Sequence, residues 1–341
     1  MYKGLIRPIL FALSQGDAEK AHLLAKKAMQ VMQRSTPLLL CIEYMCKVGD
    51  KPPPTELLGI TFPSRVGLAA GFDKNAEVLP FLQALGFGFL EIGSVLPEPQ
   101  AGNPRPRMFR LEEHGSIINR MGFNSDGADA VVQNLEKLSG RLWIPIGISL
   151  GKMKETPLED AADDYVKVKR KLARHSNFLI INISSPNTPG LRQLQGRQYL
   201  EALVKSVVVS EKQVRRHRPV LVKIAPDINE AELDETLEAA LAGGVAGIVV
   251  SNTTTTRPIS GPWTPHAQES GGMSGRPVFP LMIEKLRQVR RLDSGIPIIA
   301  VGGIDSLARG QQALDEGANL IQILTGLVYE GPGLIRDLRT L

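Results

Sequence analysis

The sequence predicts an α/β chain folded as a (β/α)8 TIM barrel, preceded by an N-terminal amphipathic helical extension. Three observations carry this. From about residue 60 onward, eight short runs rich in branched apolar residues alternate with segments of helical period. The runs are apolar along their whole length, as expected of parallel strands covered on both faces. No Gly-x-Gly-x-x-Gly turn follows any of them, which disfavours the doubly wound open sheet.

The predicted strands are Val66–Gly71, Phe87–Ser94, Trp143–Leu150, Phe178–Ser184, Pro219–Ala225, Gly247–Asn252, Ile296–Gly302 and Asn319–Thr325. Val78, Leu82 and Leu85 mark one intervening helix, which Gly86 ends in a left-handed conformation. Asn229 and Glu232 form a capping box before Leu233, Leu237 and Leu241, and Gly243-Gly244 closes that helix. Asp305 or Ser306 caps the helix closed by Gly317. The domain division is 1–50 for a helical segment and 51–341 for the barrel.

Length suits one large α/β domain, and 43% apolar with 22% charged residues is ordinary for a globular chain. The two cysteines, Cys41 and Cys46, have neither disulfide-scaffold nor zinc spacing and point to a reducing compartment. The five histidines are scattered without HExxH, so no metal is expected. Of the net charge of +5, residues 1–51 carry +4, from eight Lys/Arg against four Asp/Glu. The body is thus nearly neutral, which argues against nucleic acid as a partner.

The charge belongs to amphipathic helices. Ala21, Leu24, Ala25, Ala28 and Met32 share one face between Asp17 and Gln33, with Lys20, Lys26, Lys27 and Gln30 opposite. Apolar patches at Leu5–Leu13 and Pro37–Met45 flank this helix. No apolar run approaches the roughly 18 residues a membrane span needs, and no signal peptide is indicated. Such helices pack on the barrel, lie on an anionic membrane surface, or do both.

Chemistry in these barrels sits at the C-terminal strand ends. Those ends carry Gly71, Asp73 and Lys74; Ser94; Ser149 and Lys152; Asn182 to Asn187; Lys223; Ser251, Asn252 and Thr253; Gly302 and Gly303; and Thr325 with Gly326. The last two units suit a phosphate, bound either as a sugar phosphate or in flavin mononucleotide (FMN). Gly271–Gly275 reads as a further flexible loop. Lys74 and Lys223 suit a carboxylate or a flavin carbonyl. Asn119, Asn182, Asn187 and Asn252 each offer a carbonyl and an amide NH2, matching a cyclic substrate such as a pyrimidine. The stretch Asn182–Gly190 stands out, because Pro186 and Pro189 end the strand and stiffen a polar loop. Gly147-Ile148-Ser149-Leu150-Gly151 matches a serine-hydrolase elbow, but no helix follows directly and no histidine stands at a later strand end.

These segments resemble the dihydroorotate dehydrogenase family. The matching stretches are Gly67–Lys74, Glu91–Ser94, Ile118–Asn124, Asn182–Gly190, Val222–Pro226, Ser251–Thr254, Gly271–Pro277 and Val301–Asp305, in order across the barrel. The resemblance is closest to class 2, the membrane-associated, quinone-dependent enzymes. Ser185 stands where the soluble class uses a cysteine base, and Asp17–His22 resembles the motif of the class 2 extension.

The resemblance implies oxidation of (S)-dihydroorotate to orotate with one non-covalent FMN, electrons passing to a membrane quinone, in pyrimidine biosynthesis. It implies a peripheral membrane protein on the cytoplasmic face of the inner membrane, touching anionic lipid through its N-terminal helices. The alternative is another FMN barrel oxidoreductase acting on a pyrimidine with a different electron partner. The family pattern implies Ser185 as catalytic base, with Thr188 and a water near Phe123 relaying the proton. Substrate contacts are implied at Lys74, Asn119, Arg120, Met121, Gly122, Phe123, Asn182, Asn187, Asn252 and Thr253. Cofactor contacts are implied at Ala69, Ala70, Gly71, Lys74, Ser94, Ser149, Asn182, Lys223, Ser251, Gly275, Gly303, Leu324 and Thr325. The quinone site would include His22 and Arg110. Ser149, Ser94 and Leu324 depart from the residues usual in this class, asparagine, threonine and tyrosine.

Overall fold

A computed structural model describes residues 2–49, 52–210, 217–259 and 265–341. Eight parallel strands close into a barrel: β1 (Val66–Leu68), β2 (Phe89–Val95), β3 (Ile146–Leu150), β4 (Phe178–Asn182), β5 (Val220–Ile224), β6 (Gly247–Val250), β7 (Ile298–Val301) and β8 (Leu320–Ile323). Each strand pairs with its neighbours in sequence, and β8 pairs with β1. All eight predicted strands are present, and each is shorter than expected. Their C-terminal residues leave the ladder to form rim loops. At the other end Pro145, which lacks an N–H, delays β3 to Ile146 and leaves Trp143 exposed.

Alternation along the strands sorts side chains between two cores. Leu179 and Ile181 of β4 face the surrounding helices, whereas Phe178 and Ile180 face the barrel interior. The same parity sends Phe89, Leu221, Val249, Ile299 and Leu320 inward. A hairpin of Thr55–Leu57 and Ile60–Phe62 contributes Phe62 to this core, where the Phe62 and Phe89 rings meet edge to face at 5.3 Å. Phe178 completes a plug at 6.1 Å from each of them. The N-terminal end of the barrel is therefore filled, and the open end is the one bearing the polar rim.

The helix signals behave as their chemistry dictates. Gly86 has φ +99° after the helix Leu79–Ala84. Asn229 and Glu232 make the reciprocal capping box of Glu230–Ala242. Ser306 rather than Asp305 caps Leu307–Asp315. One expectation is corrected. The Gly271–Gly275 stretch is not a free loop: Gly272–Gly275 pairs antiparallel with Ser116–Asn119, which pairs with Met108–Leu111. This three-stranded sheet stands over the rim, built from insertions after β2 and β6.

The N-terminal segment forms a π-helical turn (Tyr2–Ile6), α1 (Arg7–Leu13), α2 (Ala18–Met32) and α3 (Thr36–Met45). Asp17 caps α2 by accepting from the Lys20 N–H at 3.0 Å. The expected boundary at Asp50 and Lys51 lies outside the described residues. The helices dock through Met29, Met32, Leu39 and Ile42, which pack on the outer core, and through polar anchors. Glu19 takes a two-pronged bond from Arg107, at 2.8 Å to Nη2 and 3.0 Å to Nε. Glu77 pairs with Lys26 and accepts from Gln30 Nε2 at 2.9 Å. Among the described residues no helix is long and apolar enough to cross a membrane.

The plug sets a steric limit that is measurable. A Cβ added at Gly147 would lie 2.3 Å from the Phe178 ring. Gly147→Ala is expected to destabilise the protein by about 1–3 kcal/mol in urea denaturation. Gly333→Ala, whose added Cβ meets nothing within 4 Å, should stay within about 0.5 kcal/mol of the parent. Equal effects would show that the plug is not tightly packed.

Candidate active site

One cavity of about 500 Å³ runs from a cleft between α1 and α2 to the C-terminal strand ends. Its outer part is apolar, with Leu10 and Phe11 of α1 facing Ala21, Ala25 and Ala28 of α2. Four alanines and a histidine on one face of α2 leave room between helix and barrel that larger side chains would fill. The inner part carries the polar residues of the rim.

Strand parity puts those polar groups there. Asn182 shares the inward face of β4 with Phe178 and Ile180, and Lys223 shares that of β5 with Leu221. Asn182 then organises its neighbours. Its Nδ2 donates to Ser94 Oγ at 2.8 Å, and its Oδ1 accepts from Asn252 Nδ2 at 3.2 Å and Ser184 Oγ at 3.2 Å. Asn252 Nδ2 also reaches Ser184 Oγ at 2.9 Å. On the opposite wall Asn187 Nδ2 donates to Asn119 Oδ1 at 3.1 Å. The four asparagines thus come from β4, the loops after β4 and β6, and the overlying sheet, yet line one cavity. Ser185, buried between them, accepts from the Asn187 N–H at 3.3 Å.

Two lysines face the same space. Burial is the main reason Lys74 falls from its ordinary 10.5 to about 7, and the nearby Arg107 adds to it while Glu19 opposes. Its ammonium bonds Asn124 Oδ1. Lys223 is buried as well, and among the described residues no acceptor holds its ammonium. At the apolar end, burial pushes His22 down to about 4, helped by Lys26 and Lys74, so the imidazole is neutral at physiological pH. It meets the Phe72 ring edge-on at 5.0 Å. Arg110 lies over the Phe11 ring at 3.8 Å and donates through Nη2 to Gly16 O at 3.1 Å, while its buried Nη1 has no partner.

Of the residues singled out from sequence, Ala69, Ala70, Gly71, Lys74, Ser94, Asn119, Met121, Gly122, Phe123, Asn182, Ser185, Asn187, Lys223, Ser251, Asn252, Thr253, Gly275, Gly303, Leu324 and Thr325 line the cavity, as do His22 and Arg110. Three do not. Ser149 is fully buried behind Ser94, sharing a 2.9 Å hydroxyl contact with it. It lies within β3 rather than on a nucleophile elbow. Arg120 turns to Glu269 at 2.6 Å and stacks over Phe109. Thr188 belongs to the same loop as Ser185, and its buried hydroxyl has no partner among the described residues.

Sequence reasoning missed Asn103, whose Nδ2 donates to Arg120 O and Asn187 O, and Gln322, which donates to Glu91 Oε2 at 2.7 Å inside the barrel. The strand period places Gln322 inward with Leu320 and was available as a signal. For Asn103 the only hint was the length of the insertion after β2, too long for an ordinary βα loop. Among the described residues no cluster of His, Cys, Asp and Glu is placed to hold a metal.

Comparison with known proteins is consistent throughout. Residues 54–340 match the family model for dihydroorotate dehydrogenase. A dihydroorotate dehydrogenase (quinone) of Chloroflexus aurantiacus is 46% identical, over 98% of this chain and 94% of its own length. That of Salinispora arenicola is 45% identical, over 98% and 97%. Among solved structures, the DHODH of Eimeria tenella in complex with ferulenol superposes with a TM-score of 0.84 at 32% identity, over 97% of this chain and 93% of that one.

Lys74 makes stability depend on pH in the ligand-free chain. Its folded value is depressed, so between about pH 7 and pH 10.5 the unfolded chain holds a proton that the folded chain has released, and stability rises across that window. Lys74→Met should remove that rise. The gap between parent and variant is expected to change by up to about 1.4 kcal/mol per pH unit in chemical denaturation of ligand-free protein. Parallel pH profiles for the two would contradict the depression of Lys74 by burial.

Proposed function

The chain belongs to the dihydroorotate dehydrogenase family, and we propose that it oxidises (S)-dihydroorotate to orotate on FMN and passes the electrons to a membrane quinone, serving pyrimidine biosynthesis. One observation carries this reading. A single cavity joins a rim of amides and lysines to an apolar cleft between surface helices. A polar substrate and an apolar electron acceptor thus have separate approaches to one centre.

The residues fit FMN. Lys223, a buried residue that lines the cavity and has no acceptor among the described residues, suits an anionic or carbonyl-bearing ligand. Lys223, Lys74, Ser94, Asn182 and Ser251 would hold its ring, and Gly275, Gly303, Leu324 and Thr325 its ribityl phosphate, one non-covalent FMN per chain. FMN, when bound, supplies the acceptor for the hydride from C6 of the substrate and the route for electrons to quinone.

The protein's part is to hold the ring and manage the proton. Lys74 holds the substrate carboxylate, and Asn119, Asn182, Asn187 and Asn252, with Thr253, read its alternating C=O and N–H groups. Met121, Gly122 and Phe123 follow the Ser116–Asn119 strand and form the adjoining wall, which Arg120 braces from outside through Glu269. Ser185 Oγ takes the proton from C5. An isolated serine is too weak a base to keep it, so the proton passes to the Thr188 hydroxyl, whose lack of a partner supports that role, and to a water near Phe123.

The quinone enters between α1 and α2, past neutral His22, towards Arg110, whose unpaired Nη1 supplies a donor for its carbonyl. Leu13 at 69% and Tyr44 at 79% exposure, on α1 and near the end of α3, belong to the surface that would meet lipid. The basic excess of the N-terminal segment favours an anionic membrane on its cytoplasmic face, and the protein is peripheral.

Anaerobic mixing with dihydroorotate should bleach the flavin absorbance. Ser185→Ala should keep its flavin but slow that bleaching by about two to four orders of magnitude. A variant reduced at the parent rate would remove Ser185 from the role, and flavin reduced by NAD(P)H instead would favour a different pyrimidine oxidoreductase. Separately, Ile9→Glu with Leu40→Glu should abolish sedimentation with anionic vesicles while leaving anaerobic bleaching intact. Unchanged vesicle binding would relocate the membrane surface.

A further inference from the structure

Arg192 follows the proline-stiffened loop and does not line the cavity, yet its guanidinium reaches three rim loops at once. Nε donates to Ser184 O at 3.2 Å, in the loop after β4. Nη1 donates to Asp227 Oδ2 at 2.7 Å, after β5. Nη2 donates to Thr253 O at 3.1 Å, after β6. Ser184 immediately precedes Ser185, and Thr253 immediately follows Asn252.

Asp227 completes the joint from the other side. Its carboxylate accepts from the Thr254 hydroxyl, from the Thr255 N–H at 2.9 Å and from the Thr255 hydroxyl at 3.2 Å. The short 3-10 turn Leu191–Gln195 carrying Arg192 is tied to β5 as well, because the Ala225 N–H donates to Gln195 Oε1 at 3.1 Å. Packing leaves little slack. A Cβ at Gly272 would fall 2.0 Å from Thr253 Oγ1 and 3.0 Å from Pro186 Cγ.

We propose that Arg192, braced by Asp227, is a positioning residue that locks the loops after β4, β5 and β6 into one body, fixing Ser185 relative to Asn252. The catalytic role of Ser185 is taken from the function proposed above. The planar guanidinium is what the site requires, since its donors diverge in fixed directions to two carbonyls and a carboxylate. A lysine in its place supplies one point charge on a flexible stem and cannot hold three acceptors in fixed relation. The chemistry is sensitive to this, because displacement of a reacting group by about 1 Å costs on the order of a hundredfold in rate.

The test uses full-length holoenzyme with Arg192→Leu, Arg192→Lys and Asp227→Asn. Arg192→Leu should retain parent flavin content, because no cavity-lining cofactor residue is touched. Its anaerobic flavin reduction at saturating dihydroorotate should fall by about tenfold to a hundredfold, with weaker orotate binding read from the flavin spectrum. Arg192→Lys should recover only a small part of that loss. Reoxidation of the reduced flavin by quinone should not change. Amide hydrogen exchange, which does not depend on any reaction, should rise in residues 184–188 and 253–255. Parent-like exchange there, or full recovery by lysine, would overturn the clamp. If Arg192→Leu does not fold, Asp227→Asn decides on the same readouts, with a smaller effect expected. Failure of the parent enzyme itself to bleach would overturn the proposed reaction instead, and exchange would still judge the clamp.

Discussion

A parallel barrel leaves each strand two faces, and strict alternation decides which residue of every pair looks inward. Here that alternation does two jobs along the same strands. At the N-terminal end it turns Phe89, Phe178 and Leu221 inward, where with Phe62 they fill the interior. Two and four residues further on it turns Glu91, Lys223 and Asn182 to the same side. A slip of one residue in register would bury Ile181 and Ile224 in the cavity and expel Asn182 and Lys223 into the helix layer. The apolar core and the polar site are thus consequences of one constraint, and neither can be re-registered without losing the other.

The rim adds what strands cannot, namely distance control between elements. Asn182 donates to β2 through Ser94 and accepts from the loop after β6 through Asn252. The overlying sheet joins this rim through Asn119, which accepts from Asn187 of the loop after β4. Asn103 supports this wall from behind, and Arg192 ties the loops on the other side. Each asparagine has part of its capacity committed to neighbours, which fixes the direction in which the rest is presented. That pre-organisation is why amides suit this site better than flexible charged side chains.

The N-terminal helices attach through apolar contacts of Met29, Met32, Leu39 and Ile42 with the outer core and through buried charge pairs. Burial alone would raise the Glu19 carboxyl, but bonds from Arg107 and Arg105 outweigh it and hold the group below its ordinary range. A paired, hydrogen-bonded carboxylate is tolerable at a buried joint, whereas either partner alone would be costly. Acid protonates Glu19 as pH falls through that lowered value, so this contribution to docking weakens there. Leu10 and Phe11 of α1 and Ala21, Ala25 and Ala28 of α2 line the outer cavity. Arg107 also lies close enough to Lys74 to depress it, so helix anchoring and site electrostatics share one residue.

Sequence by itself determined the eight strands, the capped helices and most of the cavity wall. These are local or periodic properties: branched runs, the Asn229–Glu232 box, Gly86 in its left-handed turn, polar residues after each strand. It also marked Asn182–Gly190 and the basic extension, and here the resemblance supplied roles that residue chemistry alone left open. Only the tertiary structure decided that Gly272–Gly275 is a strand, because its partner, Ser116–Asn119, lies over 150 residues away. It alone turned Arg120 away to Glu269 and put Ser149 behind Ser94, since side-chain direction in loops and crowded interiors has no period to read. And it alone revealed Arg192, an ordinary arginine in sequence, as the point where three rim loops meet.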